Sequence, residues 1–464
     1  MFDYSTYLSP FTFRYGSEKM CHIWSEEYKR LLLRRVWVAL ATSENKAGLV
    51  SDEELSDIKA HQNDIDIKRA LEIESDIHHD LMAEIKTYAE QCKIGGGKIH
   101  LGATSTDALD NAEAVRLQEA KVLILATLKN CIEDLDILID EYGDIPCMAY
   151  THLQSAEETK LSHRFSLWKE SLMEAYRILL NLKIRGKGFK GAVGNYSSYD
   201  ALYKGKKVNG KPYTALDAEK DALSLLGIEA FDITTQVYPR FQDMEIMSAI
   251  SLTAAVSSKI AFDIRLLQSS PFDELSEGFS KNQVGSSAMP FKKNPINAEK
   301  INSLARFVHS LEESSFENTV GSALERSLDD SANRRLFLPE GFLATEEILL
   351  TLHKVLTSIK INKNNIVFNK NKFGVFSRTE GLLMAAVKKG GNRQELHERI
   401  RELALKAKDE MNKTGVNPLK SLVLSDEVFS HLLTQDEITE IFEKEPELPS
   451  LEKRVKSIRK KAVK

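Results

Sequence analysis

The sequence predicts an all-α protein whose central body is a bundle of five long helices. Proline is scarce, with 11 residues among 464, and the intervals between prolines are rich in Leu, Ala, Lys and Glu, which favour helix over strand. Over several intervals, apolar residues recur every three or four positions with almost no helix-breaking residue. Each apolar face is broader than the seam of a two-stranded coiled coil, and this favours a bundle.

The helical pattern divides the chain into three predicted domains. Residues 1–103 show shorter helices and form a predicted N-terminal helical domain. Residues 104–359 hold the long helices, the first of which covers about 108–142 and would be roughly 50 Å long. The other four cover about 157–183, 243–268, 295–317 and 331–359. Residues 360–464 form a predicted, mainly helical C-terminal domain whose basic end, 453–464, is typical of a solvated helix end.

Two segments interrupt the long helices. The glycine-rich stretch 186–199 contains residues able to form strands, and we expect a hairpin or a lid-like excursion there. The second interruption, residues 282–295, has a composition that indicates a catalytic or binding role.

Composition and charge exclude several classes of protein. A hydrophobic content of 42% with 28% charged residues is ordinary for a globular protein, and a net charge of −5 gives no electrostatic case for binding nucleic acid. The four cysteines lack the paired spacing of zinc sites or of a disulfide framework, which suits a reducing cytosol. The N-terminal Met1-Phe2-Asp3-Tyr4-Ser5 lacks signal-peptide features, and no apolar run reaches membrane-spanning length. We therefore expect a cytoplasmic protein without metal, cofactor, membrane or nucleic-acid partner.

One motif combines a glycine hinge, two hydroxyls, two lysines and an amide flanked by prolines: Gly285-Ser286-Ser287-Ala288-Met289-Pro290-Phe291-Lys292-Lys293-Asn294-Pro295. A flexible linker would also contain Gly-Ser-Ser, but it would not need Met-Pro followed by Lys-Lys-Asn-Pro. A mobile loop that brings these groups to the start of a rigid helix is suited to close over a charged substrate.

This motif resembles the signature loop of the fumarase/aspartase superfamily, whose members cleave a C–N or C–O bond and release fumarate. Two further blocks, 13–15 (Phe-Arg-Tyr) and 325–335, narrow the resemblance to the adenylosuccinate lyases of eukaryotic type. The resemblance spans nearly the whole chain. It implies a three-domain fumarase/aspartase-like fold with a long central five-helix bundle. It also implies elimination of fumarate from adenylosuccinate, giving AMP, and from the succinyl-aminoimidazole-carboxamide ribotide (SAICAR), giving AICAR, in purine biosynthesis.

Such an elimination needs a base on one face of the substrate and an acid on the other, because a weakly acidic proton leaves one carbon while an amine leaves its neighbour. The resemblance implies that Ser286 is the base and that His152 is the acid. A serine acts as a base only when it is desolvated and held among cations, which Lys292 and a closed lid could supply. Lys292 and Asn294 would then stabilise the doubly charged carboxylate of the carbanion.

The two candidate histidines also have plainer interpretations. His152 lies just before a predicted helix, where a polar residue often serves as a cap, but Thr151 and Gln154 beside it complete the family's Thr-His-x-Gln motif. His79 lies within the run His78-His79-Asp80, which is more often a helix-surface cluster or an accidental metal box than a catalytic site. Only the resemblance implies that His79 holds the substrate phosphate or supports the general acid.

The resemblance implies further substrate contacts. A phosphate and two carboxylates need forked donors, and the positions matching phosphate and ribose contacts are Arg14, Tyr15, Arg326, Ser331 and Arg335. A salt bridge between Arg335 and Glu325 or Asp330 is the alternative for that arginine. Positions matching contacts to the succinyl carboxylate or the base are Thr104, Ser105 and Gln236. The remaining predicted substrate-binding residues are His78, Asp80, Thr151, Gln154, Ser287, Met289, Asn294 and Lys300.

The sequence departs from the family pattern at several positions. His78 and Lys300 stand where the family has arginines, and Lys300 keeps the charge but loses the bidentate fork. Residues 155–160 lack the usual proline and are unusually acidic for a segment near an anion site. Asn195 and Tyr196 replace smaller polar residues in the glycine-rich stretch.

Two alternative functions remain open from the sequence. One keeps the fold but changes the leaving group, as in argininosuccinate lyase, and the phosphate-directed Arg14, Arg326 and Arg335 count against it. The other is an inactive structural homologue, which would be free to lose Ser286 or His152. Helices of about 50 Å would hold the candidate residues far apart within one subunit. The resemblance further implies a homotetramer with shared active sites.

Overall fold

The computed structural model describes residues 5–462 and contains mainly helix, which confirms the all-α prediction. The expectation that the N-terminus lacks signal-peptide features rests mostly on residues 1–4. These residues lie outside the described part, as do residues 463–464. None of the helices in 5–462 has a stretch both long and apolar enough to cross a membrane.

The helices of the first part of the chain begin at polar caps, and one of them, Glu26–Lys46, has 21 residues. The Ser17, Ser25 and Ser51 hydroxyls each accept a hydrogen bond from a backbone N–H of the first turn, and at Ser51 the Glu54 carboxylate completes a capping box. The helices are α1 (Glu18–Ile23), α2 (Glu26–Lys46), α3 (Asp52–Ala60), α4 (Ile67–Ile77) and α5 (Asp80–Gln91), with 3₁₀ turns at Pro10–Thr12 and Gly96–Lys98.

Five long helices follow at the predicted positions. They are α6 (Ser105–Tyr142), α7 (Leu161–Asn181), α10 (Phe241–Gln268), α11 (Ile296–Gly321) and α12 (Asp329–Ser358). The elements between them are β1 (Pro146–Thr151), β2 (Gln154–Lys160), β3 (Arg185–Gly186), α8 (Ser197–Tyr203), β4 (Lys207–Val208), β5 (Lys211–Pro212), α9 (Ala215–Leu226), β6 (Glu229–Ala230) and β7 (Leu275–Ser276).

The C-terminal part is helical, as predicted. After β8 (Lys360–Ile361) come α13 (Lys363–Ser377), α14 (Thr379–Lys388), α15 (Arg393–Thr414), α16 (Leu419–Leu424), α17 (Glu427–Leu432), α18 (Gln435–Glu443) and α19 (Pro449–Lys460). Their shared core is apolar and includes Leu382, Leu396, Leu403, Leu419, Phe429 and Ile438. The buried Lys169 ammonium of α7 bonds to the backbone carbonyl oxygens of Ile458 and Lys461, at the end of α19.

The chain forms two compact units. The first comprises Met1–Lys129, Glu174–Ser258 and Lys300–Thr351, and the second comprises Asn130–Met173, Lys259–Glu299 and Leu352–Lys464. Each long helix contributes residues to both units. The two units do not test the predicted domain boundaries at 103/104 and 359/360, which stay a prediction.

Side-chain contacts join the long helices within each unit. In the first, Ser248 of α10 donates to Glu312 of α11 at 2.6 Å, and a Cβ on Gly341 of α12 would lie 3.0 Å from Met247 of α10, so glycine permits the close approach of these helices. In the second, the Trp168 indole of α7 donates to Asp263 of α10 at 3.0 Å. These contacts support the predicted bundle.

Two local predictions were wrong. Helix α7 begins at Leu161, later than residue 157, because residues 154–160 pair with β1 as a strand. Residues 186–199 do not form a hairpin: β3 pairs in parallel with β6, and the end of the stretch enters α8. Gly188, Gly191 and Gly194 all have positive φ, which ends the extended backbone after two residues.

Candidate active site

His152 lies at the tip of a β-hairpin. Strands β1 and β2 are antiparallel, and Thr151 pairs with Gln154, so His152 and Leu153 form a two-residue loop. Both loop residues have positive φ, at 53° and 59°, a conformation that hairpin loops of this length usually fill with Asn and Gly. The His152 side chain is exposed. The prediction that His152 directly precedes a helix is therefore wrong, because β2 separates it from α7.

The acidic residues after the hairpin loop have partners within the second unit. The Arg378 guanidinium donates to both carboxylate oxygens of the buried Glu158 at 2.9 Å, which neutralises that charge. A hydrogen bond with Glu380, together with partial burial and the charge of Glu380, raises the pKa of Glu157 to about 7. The acidic segment thus carries less negative charge than its sequence suggests.

The signature loop is held together by bonds within itself. The Asn294 amide donates to the Gly285 carbonyl at 2.9 Å, and the Lys292 N–H donates to the Met289 carbonyl at 3.0 Å. A Cβ on Gly285 would lie 2.1 Å from the Lys292 carbonyl oxygen, so only glycine fits where the two ends of the loop meet. The loop therefore has a defined shape of its own.

Ser286 sits inside this loop, and its hydroxyl oxygen accepts hydrogen bonds from the N–H groups of Ala288 at 3.3 Å and Met289 at 3.1 Å. Donation from two amides stabilises negative charge on that oxygen, as an alkoxide would need. The side chains of Ser287, Met289 and Lys292 are exposed, so the desolvation expected around Ser286 requires a cover that this loop does not supply by itself. No hydrogen bond within residues 5–462 joins Ser286 to His152.

The first unit contains a cavity of about 130 Å³ with basic walls, which we call the arginine cavity. Three predicted phosphate-site residues, Arg326, Ser331 and Arg335, line it together with residues that the sequence did not single out for a role. Helix α12 places Ser331 and Arg335 on one face, as their spacing predicts. The other basic walls are Lys29, Arg116, Arg240 and Arg334, and the acidic ones are Glu26, Asp110, Glu113 and Asp330.

Arg335, in the wall of the arginine cavity, forms an ion pair with Asp80. Arg335 Nη2 lies 2.7 Å from Asp80 Oδ2, so the predicted alternative partners, Glu325 and Asp330, are wrong. Partial burial would raise the pKa of Asp80, but the Leu81 N–H and the Arg335 guanidinium more than offset it and keep this pKa below its usual range. Asp80 is therefore an anion that helps to orient Arg335.

Of the two neighbouring histidines, one ends a helix and the other begins the next helix. His79 is the N-cap of α5, and its Nδ1 accepts from the Met82 N–H at 3.3 Å. His78 ends α4 in a left-handed conformation with φ 53°. Both side chains are exposed, and within residues 5–462 no group of three or more His, Cys, Asp or Glu side chains gathers to hold a metal ion.

His100 is a residue with no role predicted from the sequence, and it precedes the predicted Thr104 by four positions. Its Nδ1 accepts from the Trp37 indole N–H at 3.0 Å, which puts the ring proton on Nε2. Burial lowers the pKa of His100 to about 4, so the ring is a neutral donor. Its place in the block His100-Leu101-Gly102-Ala103-Thr104-Ser105 is the signal that could have found it.

The Thr104 and Ser105 segment is anchored to a buried ion pair. Thr104 N–H donates to Asp107 Oδ2 at 3.0 Å, and Asp107 Oδ1 lies 2.5 Å from the Lys187 ammonium, with both charged side chains fully buried. Ser105 is the first residue of α6. The segment is thus fixed at the start of a long helix.

The remaining predicted residues of the first unit lie at its surface or between its elements. Gln236 donates through its N–H to the Glu325 carbonyl at 3.1 Å, which ties its loop to the segment that carries Arg326. Lys300 pairs with Glu347 at 2.6 Å. Arg14 is exposed, with its guanidinium 5.6 Å from the Phe13 ring centroid, and Tyr15 packs edge-on against Phe11.

The structure thus brings the predicted residues together in separate groups. The first unit collects Asp80, Arg326, Ser331 and Arg335, with Gln236 tied to them through its backbone. In the second unit, one hairpin carries Thr151, His152 and Gln154, and one loop carries Ser286, Ser287, Met289, Lys292 and Asn294.

Comparisons with known proteins identify the family to which the chain is similar. The chain matches the family described as Lyase over residues 8–309 and the family described as Adenylosuccinate lyase C-terminus over residues 376–457. It is 36% identical to the adenylosuccinate lyase of Saccharomyces cerevisiae over 92% of this chain and 89% of that protein. It is 35% identical to the adenylosuccinate lyase of Schistosoma mansoni over 93% and 90%. The crystal structure of a fumarate lyase from Mesorhizobium sp. BNC1 superposes with a TM-score of 0.82 at 19% identity, covering 98% of this chain and 99% of that one, which shows a common fold.

Proposed function

The chain belongs to the adenylosuccinate lyase family, and we propose that the residues described above divide the family's reaction among them. The chain is a C–N lyase that eliminates fumarate from adenylosuccinate and leaves AMP. We extend this to SAICAR, which carries the same succinyl group and gives AICAR, so that one site would serve two steps of purine biosynthesis.

In this proposal, Ser286 removes the proton from the carbon next to a succinyl carboxylate, and His152 protonates the departing amine. The two amide N–H groups that reach Ser286 Oγ support its role, since they stabilise the oxygen as it loses its proton. Lys292, on the same loop, would bind the carboxylate whose charge grows in the transition state. His79, at the start of α5, would support the general acid or hold the phosphate.

The arginine cavity is the observation that supports a substrate with a phosphate group. Arg326 and Arg335 in its walls are each held by one bond to a carboxylate, to Asp330 and to Asp80, so both guanidinium groups keep further donors for a phosphate. The phosphate would be held by Arg326, Ser331 and Arg335. The ribose would contact Arg14 and Tyr15. A substrate without phosphate, such as argininosuccinate, would leave the remaining donors of these arginines unused.

The assembly belongs to the same proposal. We expect a homotetramer in which His152 and Ser286 of one site come from different subunits, as the resemblance to the fumarase/aspartase superfamily implies. Mixing His152→Ala with Ser286→Ala and allowing subunit exchange should restore activity, since random hybrids leave roughly a quarter of sites with both groups intact. Exchange confirmed by mass spectrometry without a gain in activity would refute the shared site. The four cysteines, which form no disulfide in the described chain, suit our placement of the enzyme in the cytoplasm.

One assay tests the activity. Purified protein is mixed with adenylosuccinate, and the ultraviolet spectrum is followed as AMP and fumarate form, with argininosuccinate as the control substrate. We expect conversion of adenylosuccinate and none of argininosuccinate. The opposite preference would refute the assignment of the arginine cavity.

A further inference from the structure

We propose that Arg240 is a positioning residue for substrate binding, which acts by holding Asp330 so that Arg326 presents its guanidinium to the substrate anion. The inference rests on the proposed function of the arginine cavity. It assigns a role to a side chain that lines this cavity but is only 2% exposed and already bonds to two carboxylates, Asp110 and Asp330.

The geometry centres on one shared carboxylate. Arg326 Nη1 donates to Asp330 Oδ1 at 2.8 Å, and Arg240 Nε donates to Asp330 Oδ2 at 2.6 Å. The Asp330 side chain is 5% exposed, whereas that of Arg326 is 20% exposed. Arg326 is therefore the member of the trio that a ligand can reach, and Arg240 approaches the same carboxylate from the buried side.

Sharing the carboxylate changes what Arg326 can offer. An unshared Asp330 could take Arg326 in a two-bond fork and occupy the donors that a phosphate needs. With Arg240 on Oδ2, Asp330 holds Arg326 by one bond. That bond fixes the direction of the guanidinium and leaves the other donors of Arg326 for a ligand.

Arg240 is in turn fixed from two other directions. Its Nη1 donates to Asp110 Oδ2 of α6 at 3.1 Å, and its guanidinium lies 4.6 Å from the ring centroid of Tyr238. The Tyr238 N–H also donates to Asp110, at 2.9 Å. Arg240 thus joins α6, the loop before α10 and the start of α12 through one planar group.

A lysine could not replace this arrangement. Arg240 uses Nε for Asp330 and Nη1 for Asp110, and the rigid fork sets the angle between these two bonds. A lysine at this position keeps the charge but presents a single point donor. Arg240→Lys therefore separates orientation from net charge.

A double-mutant cycle tests the proposal in the full-length enzyme. We expect Arg240→Lys to raise KM for adenylosuccinate and Kd for AMP by about tenfold while kcat changes less than about threefold, because the lost orientation affects binding. In an Arg326→Ala background, Arg240→Lys should cause no further rise in Kd, since its effect passes through Arg326. Losses that multiply in the double mutant, or an unchanged Kd in the single mutant, would overturn the inference.

Two further variants keep the test decisive. Arg378→Lys weakens a buried arginine–carboxylate pair in the second unit, so it should lower Tm but leave Kd for AMP unchanged. If Arg240→Lys does not fold, Asp330→Asn, which keeps the shape but removes the shared charge, must show the same coupling to Arg326→Ala or the inference fails. A wild-type enzyme that does not convert adenylosuccinate would refute the proposed function, whereas active wild type with uncoupled variants would refute only the role of Arg240.

Discussion

Arg335 Nη2 lies 2.7 Å from Asp80 Oδ2, which joins the start of α12 to the start of α5. The arginine side chain is 59% exposed, so it remains accessible on its other edge while Asp80 holds one nitrogen. A phosphate at this position would complete a second set of bonds to a guanidinium that is already oriented.

The first prediction concerns this arginine. Arg335→Ala should raise KM for adenylosuccinate and weaken AMP binding by about tenfold or more, because a charge-assisted pair is lost. Isothermal titration with AMP measures the loss directly. Arg335→Lys should lose less, since it keeps the charge. An unchanged affinity for AMP would show that the phosphate lies elsewhere.

The second prediction separates the two adjacent hydroxyls of the signature loop. Ser286→Ala should lower kcat by about a thousandfold and leave substrate affinity within a few-fold, because a base acts mainly in the transition state. Ser287→Ala, to which we assign substrate binding, should mainly raise KM. Single-turnover assays and binding to the inactive variant measure both effects. Equal loss of binding and rate in Ser286→Ala would remove it from the role of base.

The third prediction follows from the positive φ of Leu153 at 59°. A side chain costs about 1 kcal/mol in this conformation, whereas glycine adopts it freely. Leu153→Gly and Leu153→Ala both remove the exposed side chain, so the pair isolates the backbone effect. Leu153→Gly should unfold at the higher temperature in a calorimetric scan, and equal or reversed Tm values would contradict the strain.

The fourth prediction concerns Glu44 of α2, which is fully buried and whose two carboxylate oxygens have no hydrogen-bond partner in the described structure. Burial raises the pKa of Glu44 to about 8, although the Lys98 charge opposes this. Folding therefore favours the protonated acid: the stability is fully present below pH 4.5, falls as pH rises from 4.5 to about 8, and changes no further above that.

Glu44→Gln should accordingly raise Tm relative to the native chain at pH 9 and have little effect near the ordinary carboxyl pKa of 4.5. The gain should grow by about 1.4 kcal/mol for each pH unit between about 4.5 and about 8 and stay constant at higher pH. Thermal unfolding from pH 4.5 to pH 9 measures it, with Glu27→Gln on the same helix as the exposed control. A gain that does not change between about pH 5 and pH 8 would contradict the raised pKa of Glu44.

The long helices could be predicted from the sequence because an apolar spacing of three or four positions leaves few alternatives over twenty residues or more. The hairpin around His152 could not, since residues 154–160 are polar and show no alternating pattern, and strand pairing with β1 fixes them. The parallel pair β3–β6 depends on residues more than forty positions apart, which no local pattern indicates.

The candidate site divides in the same way. Arg326, Ser331 and Arg335 lie in one block, and Ser331 and Arg335 share helix α12, so motif and spacing could find them together. Arg240 lies 90 positions from Asp330, and its contact exists only because α6, α10 and α12 converge. The neutral state of His100 depends on burial and on Trp37, both of which come from tertiary structure.

The bond from Asn294 to the Gly285 carbonyl has a consequence for conformational entropy. A disordered lid would lose much of its freedom when it closes, and that loss would weaken substrate binding. Here the chain between the two residues is already restricted before any ligand arrives, so closure mainly moves a shaped flap. Asn294→Ala should therefore make the entropy of substrate binding less favourable, which calorimetry of the Ser286→Ala enzyme with and without this change can measure.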